Sequence, residues 1–140
     1  MNYELQKYLQ QLNDKNIDKN NIIMNIGLLI EKNNSKKNPT DYNLLLPLNL
    51  INLSITSKDI DELVIFLLEL LKQEPKYSCQ IVWSIGKTFD ENKVELLLLT
   101  IKKMKYCDEE TFKQVKFVID VINNERINQL FNDICLLRNN

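Results

Sequence analysis

Gly86-Lys87-Thr88 is the one stretch of this sequence that is typical of nucleotide chemistry. G-K-T ends the phosphate-binding loop G-x-x-x-x-G-K-[ST], in which backbone N–H groups surround the phosphates and the lysine contacts them. That loop has its first glycine five positions earlier, where this chain has Ile81, and it follows a buried strand. The preceding letters SCQIVWSI have helical spacing. We therefore expect the triplet to end a helix and to bind no nucleotide.

Other residue types that carry chemistry are missing or isolated. The chain has no histidine, which is the most frequent general base and transition-metal ligand. Cys79, Cys107 and Cys135 are widely separated and form no C-x-x-C pair, so we expect small buried apolar residues rather than disulfides or a zinc site. Acids cluster at 59–62 and 108–110, where helices are expected to begin and where acids are favoured anyway. The sequence predicts no catalytic, cofactor-binding or metal-binding residue and no enzymatic activity.

The composition is that of a globular protein. Of the 140 residues, 44% are hydrophobic and two are glycine, and this length is typical of one domain, expected over residues 1–140. The net charge of −1 has no basic excess to attract nucleic acid. The N-terminus lacks a signal-peptide pattern, and no apolar run approaches the roughly 20 residues that cross a bilayer. We expect a cytoplasmic protein that contacts neither nucleic acid nor membrane.

Apolar residues recur at helical spacing along nearly the whole chain. The pattern i, i+3, i+4, i+7 predicts about eight α-helices, and the short connections predict that consecutive helices are antiparallel. Residues 31–40, EKNNSKKNPT, predict a mobile loop. A helix is expected over about 40–54, with Thr40 as its N-cap, and Pro47 is expected to kink or restart it. The predicted fold class is all-α.

The helix bounds are clearest in the C-terminal two-thirds. Asp59 and Glu62 predict a capping box at one start, and Pro75 is expected as the first residue of the next helix. Further helices are expected to begin near 91 and 109, the second of them ending at Asn123-Asn124.

The helix predicted over residues 75–89 has a small residue on its apolar face. The chain contains no alanine, so close helix contacts must use Ser, Cys or Gly, and we expect Gly86 to let a neighbouring helix approach closely. Phe89 is expected on the same buried face, and Trp83 at its border. The predicted polar face consists of Gln80, Ser84 and Lys87.

The segment ELVIFLLELLKQEPKYSCQIVWSIGKTF, residues 62–89, resembles one HEAT-type repeat. A leucine-rich helix and a short turn precede a second helix, in which Cys79, Ser84 and Gly86 stand among apolar residues, as small residues do in that family's A-x-x-A-L-G pattern. NKVELLLLTIKKM with TFKQVKFVIDVI resembles the following repeat. The resemblance implies helical hairpins stacked into a HEAT-like solenoid or a compact bundle.

Small HEAT-like proteins are in turn similar to immunity proteins of bacterial toxin systems. That resemblance implies a non-catalytic protein that neutralises its cognate toxin by covering the active site, with a basic nuclease as one kind of partner. Acidic side chains would face the basic site, and Trp83 would be an aromatic anchor. The candidate partner-binding residues are Trp83, Lys87, Asp90, Glu91, Phe117, Asp120 and Glu125.

Two alternatives stay open from the sequence. The first is a structural or adaptor subunit that self-associates or scaffolds a complex, for example as a homodimer through Trp83 or Phe117. The second is an enzyme with an unrecognised carboxylate or thiol site. The sequence indicates no cofactor for either alternative.

Overall fold

The computed structural model describes residues 2–14, 16–35 and 46–139, and these ranges are helical without any strand. Seven of their α-helices are longer than one turn, and α3 is a single turn. The bounds are α1 Tyr3–Leu9, α2 Asn20–Ser35, α3 Leu48–Ile51, α4 Ser57–Gln73, α5 Ser78–Gly86, α6 Glu91–Met104, α7 Glu109–Ile122 and α8 Glu125–Asn139. A 3-10 helix, Gln10–Asn13, extends α1, and another, Pro75–Tyr77, leads into α5. The predicted all-α class is confirmed.

In the described ranges the predicted number of about eight helices is wrong, because seven are longer than one turn, and the difference lies at the segment expected over 40–54. Its described part contains the single turn α3, which begins directly after Pro47 and ends at Ile51, with Asn52 as its C-cap. Pro47 has no backbone N–H and cannot continue a helix from before it, so a new turn starts there and the Pro47 carbonyl accepts from Leu50 N at 2.9 Å. Thr40, the expected N-cap, lies outside the described residues.

Residues 31–35 belong to α2, so the loop predicted over 31–40 is wrong for this half of it; residues 36–40 are not described. The polar side chains here have carbonyl partners. The Lys32 ammonium donates to the carbonyls of Ile51 and Leu53, and Asn33 Nδ2 donates to Leu29 O at 2.9 Å. These bonds compensate the low helix propensity of asparagine and attach the last turn of α2 to α3.

A capping box starts α4, three residues earlier than predicted. Thr56 is the N-cap: its hydroxyl accepts from Asp59 N at 3.1 Å, and the Asp59 carboxylate accepts from Thr56 N at 2.9 Å. Asp59 is therefore the closing acid of the box rather than its first residue, and the predicted pair with Glu62 is wrong. The starts predicted near 91 and 109 are confirmed, because α6 begins at Glu91 and α7 at Glu109 after aspartate N-caps. Pro75 begins the 3-10 helix before α5, and α5 itself begins at Ser78.

Helix α5 is the centre of the packing. It contacts α2, α4, α6 and α7, while α6 contacts α4 and α8. The helices thus form two rows, α2-α5-α7 and α4-α6-α8, with the core between them. The antiparallel hairpins and their stacking into a HEAT-like solenoid stay predictions. The largest fully buried side chains of the described ranges are Leu5, Ile23, Ile26, Leu29, Ile30, Leu50, Leu63, Leu67, Leu71, Ile81, Ile85 and Leu97.

Small residues bring α5 close to α2. A Cβ atom on Gly27 would lie 2.7 Å from both Ser84 Oγ and Trp83 Cζ3. Ser84 is fully buried, and its hydroxyl donates to the Ile23 carbonyl at 2.7 Å. The predicted polar face is therefore wrong at Ser84, because the hydroxyl finds its partner inside the helix pair and needs no solvent.

Small residues also bring α5 close to α7. A Cβ atom on Gly86 would lie 2.7 Å from Val118 Cγ2, which confirms the close approach expected at this glycine. At the other end of the pair, the hydroxyl groups of Ser78 and Thr111 share a buried hydrogen bond of 2.6 Å. The two contacts fix both the spacing and the register of α5 against α7.

The capping box makes the stability pH-dependent. Its hydrogen bond from Thr56 N holds the pKa of Asp59 below its usual value, although burial acts in the opposite direction. A depressed folded pKa means that the stabilisation is present above the unfolded pKa of about 4 and is lost as the pH falls through the folded value. Asp59→Asn should therefore lower the free energy of unfolding by about 1 kcal/mol at pH 6, and the difference from wild type should shrink below about pH 4.

Urea unfolding followed by circular dichroism between pH 3 and 7 measures this difference. Asp120→Asn, at an exposed position of α7, is the matched control and should leave the pH profile unchanged. Equal pH profiles for Asp59→Asn and the wild type would contradict the role given to the box.

Candidate functional site

A shallow apolar groove lies between the outer sides of α5 and α7. We name it the α5–α7 groove; its lining residues are Trp83, Gly86, Lys87, Phe89, Gln114, Phe117, Val118 and Val121. The groove follows from the close packing of α5 on α7. At the Gly86–Val118 contact there is no space between the two helices for a further side chain, so the neighbouring apolar side chains stay at the surface. Trp83, Lys87 and Phe117, predicted from the sequence as partner-binding residues, are brought together here.

Trp83 is a half-buried anchor that the fold holds in place. Its side chain packs against Leu28, Leu46 and Ile51, which form a small apolar cluster of their own. The Lys87 ammonium lies 4.7 Å from the ring centroid, a distance that allows a cation–π interaction. Since the ring is fixed on two sides, its rotamer is restricted before any partner binds.

Lys87 is not a free solvent-facing lysine. Its ammonium forms an ion pair with Glu31 at 2.6 Å, and both side chains are largely buried. The Asn34 side-chain amide donates to the Lys87 carbonyl at 2.8 Å and thereby attaches α2 to the end of α5. The expectation that Lys87 belongs to a solvent-facing side of the helix is wrong, because Glu31 near the end of α2 places its carboxylate beside the ammonium.

The backbone of the G-K-T triplet has no amides left for phosphate. The N–H groups of Lys87, Thr88 and Phe89 donate to the carbonyls three positions earlier, at 3.1–3.2 Å, and the Thr88 hydroxyl donates to Ile85 O at 2.7 Å. A phosphate-binding loop needs these N–H groups pointing at the ligand. The triplet is a helix end, as the sequence indicates, and it cannot hold phosphate in this conformation.

Phe89 is the groove residue that sequence reasoning misses. The helix ends at Gly86 instead of continuing through Phe89, which adopts a left-handed backbone with φ 49°. Its side chain is consequently 55% exposed instead of lying on the buried face. The left-handed region costs roughly 1–2 kcal/mol for a residue with a side chain, so an exposed aromatic there is unusual. Position 89 holds neither glycine nor asparagine, the residue types that usually signal a left-handed turn, so the sequence does not predict it.

On α7, Phe117 and Val121 complete the apolar surface. Phe117 is 63% exposed and Val121 is half exposed, whereas Val118 between them is buried against Gly86. Both lie off the stripe of buried residues on α7, which includes Val115, Val118 and Ile119. An apolar residue outside such a stripe can be recognised from the helical spacing of the sequence.

Asp90 and its neighbours form an interhelical charge network instead of an open acidic patch. The Asp90 carboxylate caps α6 by accepting from Asn92 N and Lys93 N, and the Lys93 ammonium lies 3.0 Å from both Asp90 and Asp61. Burial acts to raise the pKa of Asp90, but its hydrogen bonds from Lys93 and the charge of that ammonium outweigh burial and lower it. Lys93 thus ties α6 to α4 through Asp61, and Asp90 pairs with the same ammonium.

The remaining predicted acids lie elsewhere on the surface. Glu91 and Glu125 line a separate open hollow together with Arg126, and Asp120 is exposed on α7 without lining the α5–α7 groove. The structure therefore does not bring Glu91, Asp120 and Glu125 to the groove that contains Trp83.

The cysteines do not form a disulfide or a metal site in the described ranges. None of the three is in a disulfide, and each is half-buried rather than fully buried as expected. Burial, followed by the charges of Asp108 and Glu110, raises the pKa of Cys79, which keeps the thiol protonated near neutral pH. Within the described ranges no three histidine, cysteine, aspartate or glutamate side chains are grouped to hold a metal ion.

Comparisons with protein-family models, with curated proteins and with solved structures found no significant match. None of the helices in the described ranges is long and apolar enough to cross a bilayer. The α5–α7 groove is therefore the basis for a functional proposal.

Replacing Phe89 by glycine should stabilise the free protein. Phe89→Gly relieves the left-handed strain and removes an exposed side chain, so the free energy of unfolding should rise by about 0.5–1 kcal/mol. The matched variant Phe117→Gly, inside a helix with normal dihedrals, should lower it by at least about 0.5 kcal/mol. Urea unfolding compares the two. A loss of stability in Phe89→Gly would show that this ring packs within the fold instead of facing a partner.

Proposed function

We propose that this protein is a non-catalytic protein-binding module whose partner docks on the α5–α7 groove. One observation carries the proposal: Phe89 and Phe117, two exposed aromatic rings, line the same groove as the half-buried Trp83. Aromatic side chains provide most of the energy at protein interfaces, and exposing them to water is costly otherwise.

The shape of the groove favours a protein over a small molecule. The cavity at its centre has a volume of about 30 Å³. Small-molecule sites usually enclose roughly 300–1,000 Å³, so a cofactor or metabolite would remain mostly in water here. A partner side chain can instead fill the centre while Phe89, Phe117 and Val121 form the surrounding apolar contact. This arrangement is that of an interface hot spot with a wide rim.

Preorganisation supports the same proposal. Trp83 is held by Leu28 and Ile51 on one side and by Lys87 on the other, and Lys87 is held by Glu31. A ring that is already fixed loses little conformational entropy on binding, so more of its contact energy becomes affinity.

The partner that we propose is a toxin, which makes the module an immunity protein of the HEAT-like kind. Occlusion of the toxin's active site would be steric, with the aromatic groove as its main contact. Glu91, Asp120 and Glu125 are exposed and would meet basic residues of a nuclease at the periphery, where charges mainly raise association rates. Asp90 contributes less than the sequence suggests, because Lys93 and the α6 backbone already use its carboxylate.

The test uses the product of a toxin gene adjacent to the gene for this chain. The wild-type protein should bind that toxin and inhibit it. Phe117→Ser should weaken binding at least about tenfold, as expected for an aromatic hot spot. Leu136→Ser is a matched control, because Leu136 is also 63% exposed but lies on α8, away from the groove. The affinity of this variant for the toxin should stay within about twofold of the wild-type value.

The two parts of the proposal fail separately in calorimetric titration and toxin assays. Equal affinities for the wild type and Phe117→Ser would contradict the groove as the binding site. Failure of every adjacent-gene toxin to bind or be inhibited would contradict the immunity function.

A further inference from the structure

A second apolar surface lies on the other row of helices, along α4 and α6. Ile65 on α4 is 60% exposed, and Leu96 and Leu99 on α6 are about half exposed. These residues belong to two neighbouring hollows, with volumes of about 360 and 300 Å³, that have opposite charge. Neither hollow shares a residue with the α5–α7 groove.

The first, which we name the basic hollow, lies between α6 and the end of α4. Its lining residues are Lys72, Leu96, Leu99, Thr100, Lys103 and Met104. Lys103 forms no ion pair with the described residues, whereas the preceding Lys102 pairs with Asp133 at 3.1 Å. The exposed ammonium of Lys103 thus stands beside two exposed leucines.

The second, which we name the acidic hollow, lies on the adjoining flank of α4, beside the 3-10 helix that follows α1. Ile65 and Phe66 provide its apolar floor, and Glu62 and Glu69 provide its acidic rim. Glu69 pairs with Lys72 at 3.1 Å, but both side chains are more than half exposed, and such a surface pair contributes little to stability. Glu69 can therefore exchange this lysine for another cation at low cost.

We propose that the α4–α6 face is a self-association surface that takes a second copy of this chain. Each hollow has exposed apolar side chains that can enter the other, Leu96 and Leu99 in the basic hollow and Ile65 in the acidic one, and their charges are complementary. A two-fold axis places the basic hollow of each copy against the acidic hollow of the other, so every contact occurs twice. Leu96 and Leu99 then pack on Ile65 and Phe66 of the second copy, and Lys103 faces its acidic rim.

A second copy explains the pairing of the hollows better than an unrelated partner does. One chain presents both halves of the complementary pair on adjoining flanks of α4, which is what an isologous dimer requires. An unrelated partner would need only one of the two hollows. The dimer leaves the α5–α7 groove accessible, because the groove is formed by the other row of helices.

Sedimentation velocity across protein concentrations from 1 µM to 1 mM, a range chosen to span weak and strong dimers, tests the proposal. The mass should rise with concentration from 16.6 kDa toward twice that value. Leu96→Ser should raise the dissociation constant at least about tenfold, whereas Leu136→Ser should change it less than about twofold. Circular dichroism verifies that each variant is folded, which is expected because both leucines are half exposed or more.

Charge exchange distinguishes a second copy from any other partner. Lys103→Glu and Glu69→Lys should each weaken the dimer, by about tenfold, because like charges then face each other. The double variant should recover most of the lost affinity, since each new glutamate faces a new lysine of the other copy. A constant mass of 16.6 kDa at all concentrations overturns the proposal. A dimer that is unaffected by Leu96→Ser and Lys103→Glu, or no recovery in the double variant, overturns it as well.

Discussion

The close approach of α5 to both α2 and α7 is the constraint on which the rest of this structure depends. The helix has nine residues and is nevertheless in contact with four other helices. The close contacts with α2 and α7 are possible because small residues lie at both, Gly27 and Ser84 towards α2 and Gly86 towards α7. The chain has no alanine, so glycine and serine take this role, and the buried serine hydroxyl is satisfied by the Ile23 carbonyl.

The α5–α7 groove follows from this packing. With α5 pressed against α7, the side chains that border the contact cannot turn inward, and Trp83 and Phe117 remain along the seam. The end of α5 at Gly86 adds Phe89, whose left-handed backbone directs the ring outward. Exposed apolar residues and buried packing residues thus alternate along α7, with Val118 buried between exposed Phe117 and Val121.

Local patterns in the sequence are sufficient for most of the helices. Apolar periodicity identifies α4 to α8, and the aspartates at 90 and 108 mark helix starts because an N-cap needs only its own neighbours. Asn123, which adopts the left-handed conformation at the end of α7, is an equally local signal.

Features that depend on residues distant in the sequence could not be predicted. Lys19 is almost fully buried and forms an ion pair with Glu74, 55 positions away. Lys87 is likewise paired with Glu31, and Ser84 is buried because of a carbonyl on α2. In each case a polar residue is read as solvent-exposed until its partner on another helix is known. The groove was predicted in part, since Trp83 and Phe117 stand out from the apolar stripes, while Phe89 depends on where α5 ends.

A double-mutant cycle at the contact of α5 with α7 tests the central claim most directly. The measured quantity is the free energy of unfolding in urea for Gly86→Ala, Val118→Ala and the double variant. In the wild-type background the new methyl group meets Val118 Cγ2 at 2.7 Å, so Gly86→Ala should destabilise the protein by about 1–3 kcal/mol. In the Val118→Ala background the clash is gone, and the same change should be neutral or stabilising by up to about 1 kcal/mol. If Gly86→Ala stabilised the protein in both backgrounds, α5 and α7 would not be in the close contact on which the groove depends.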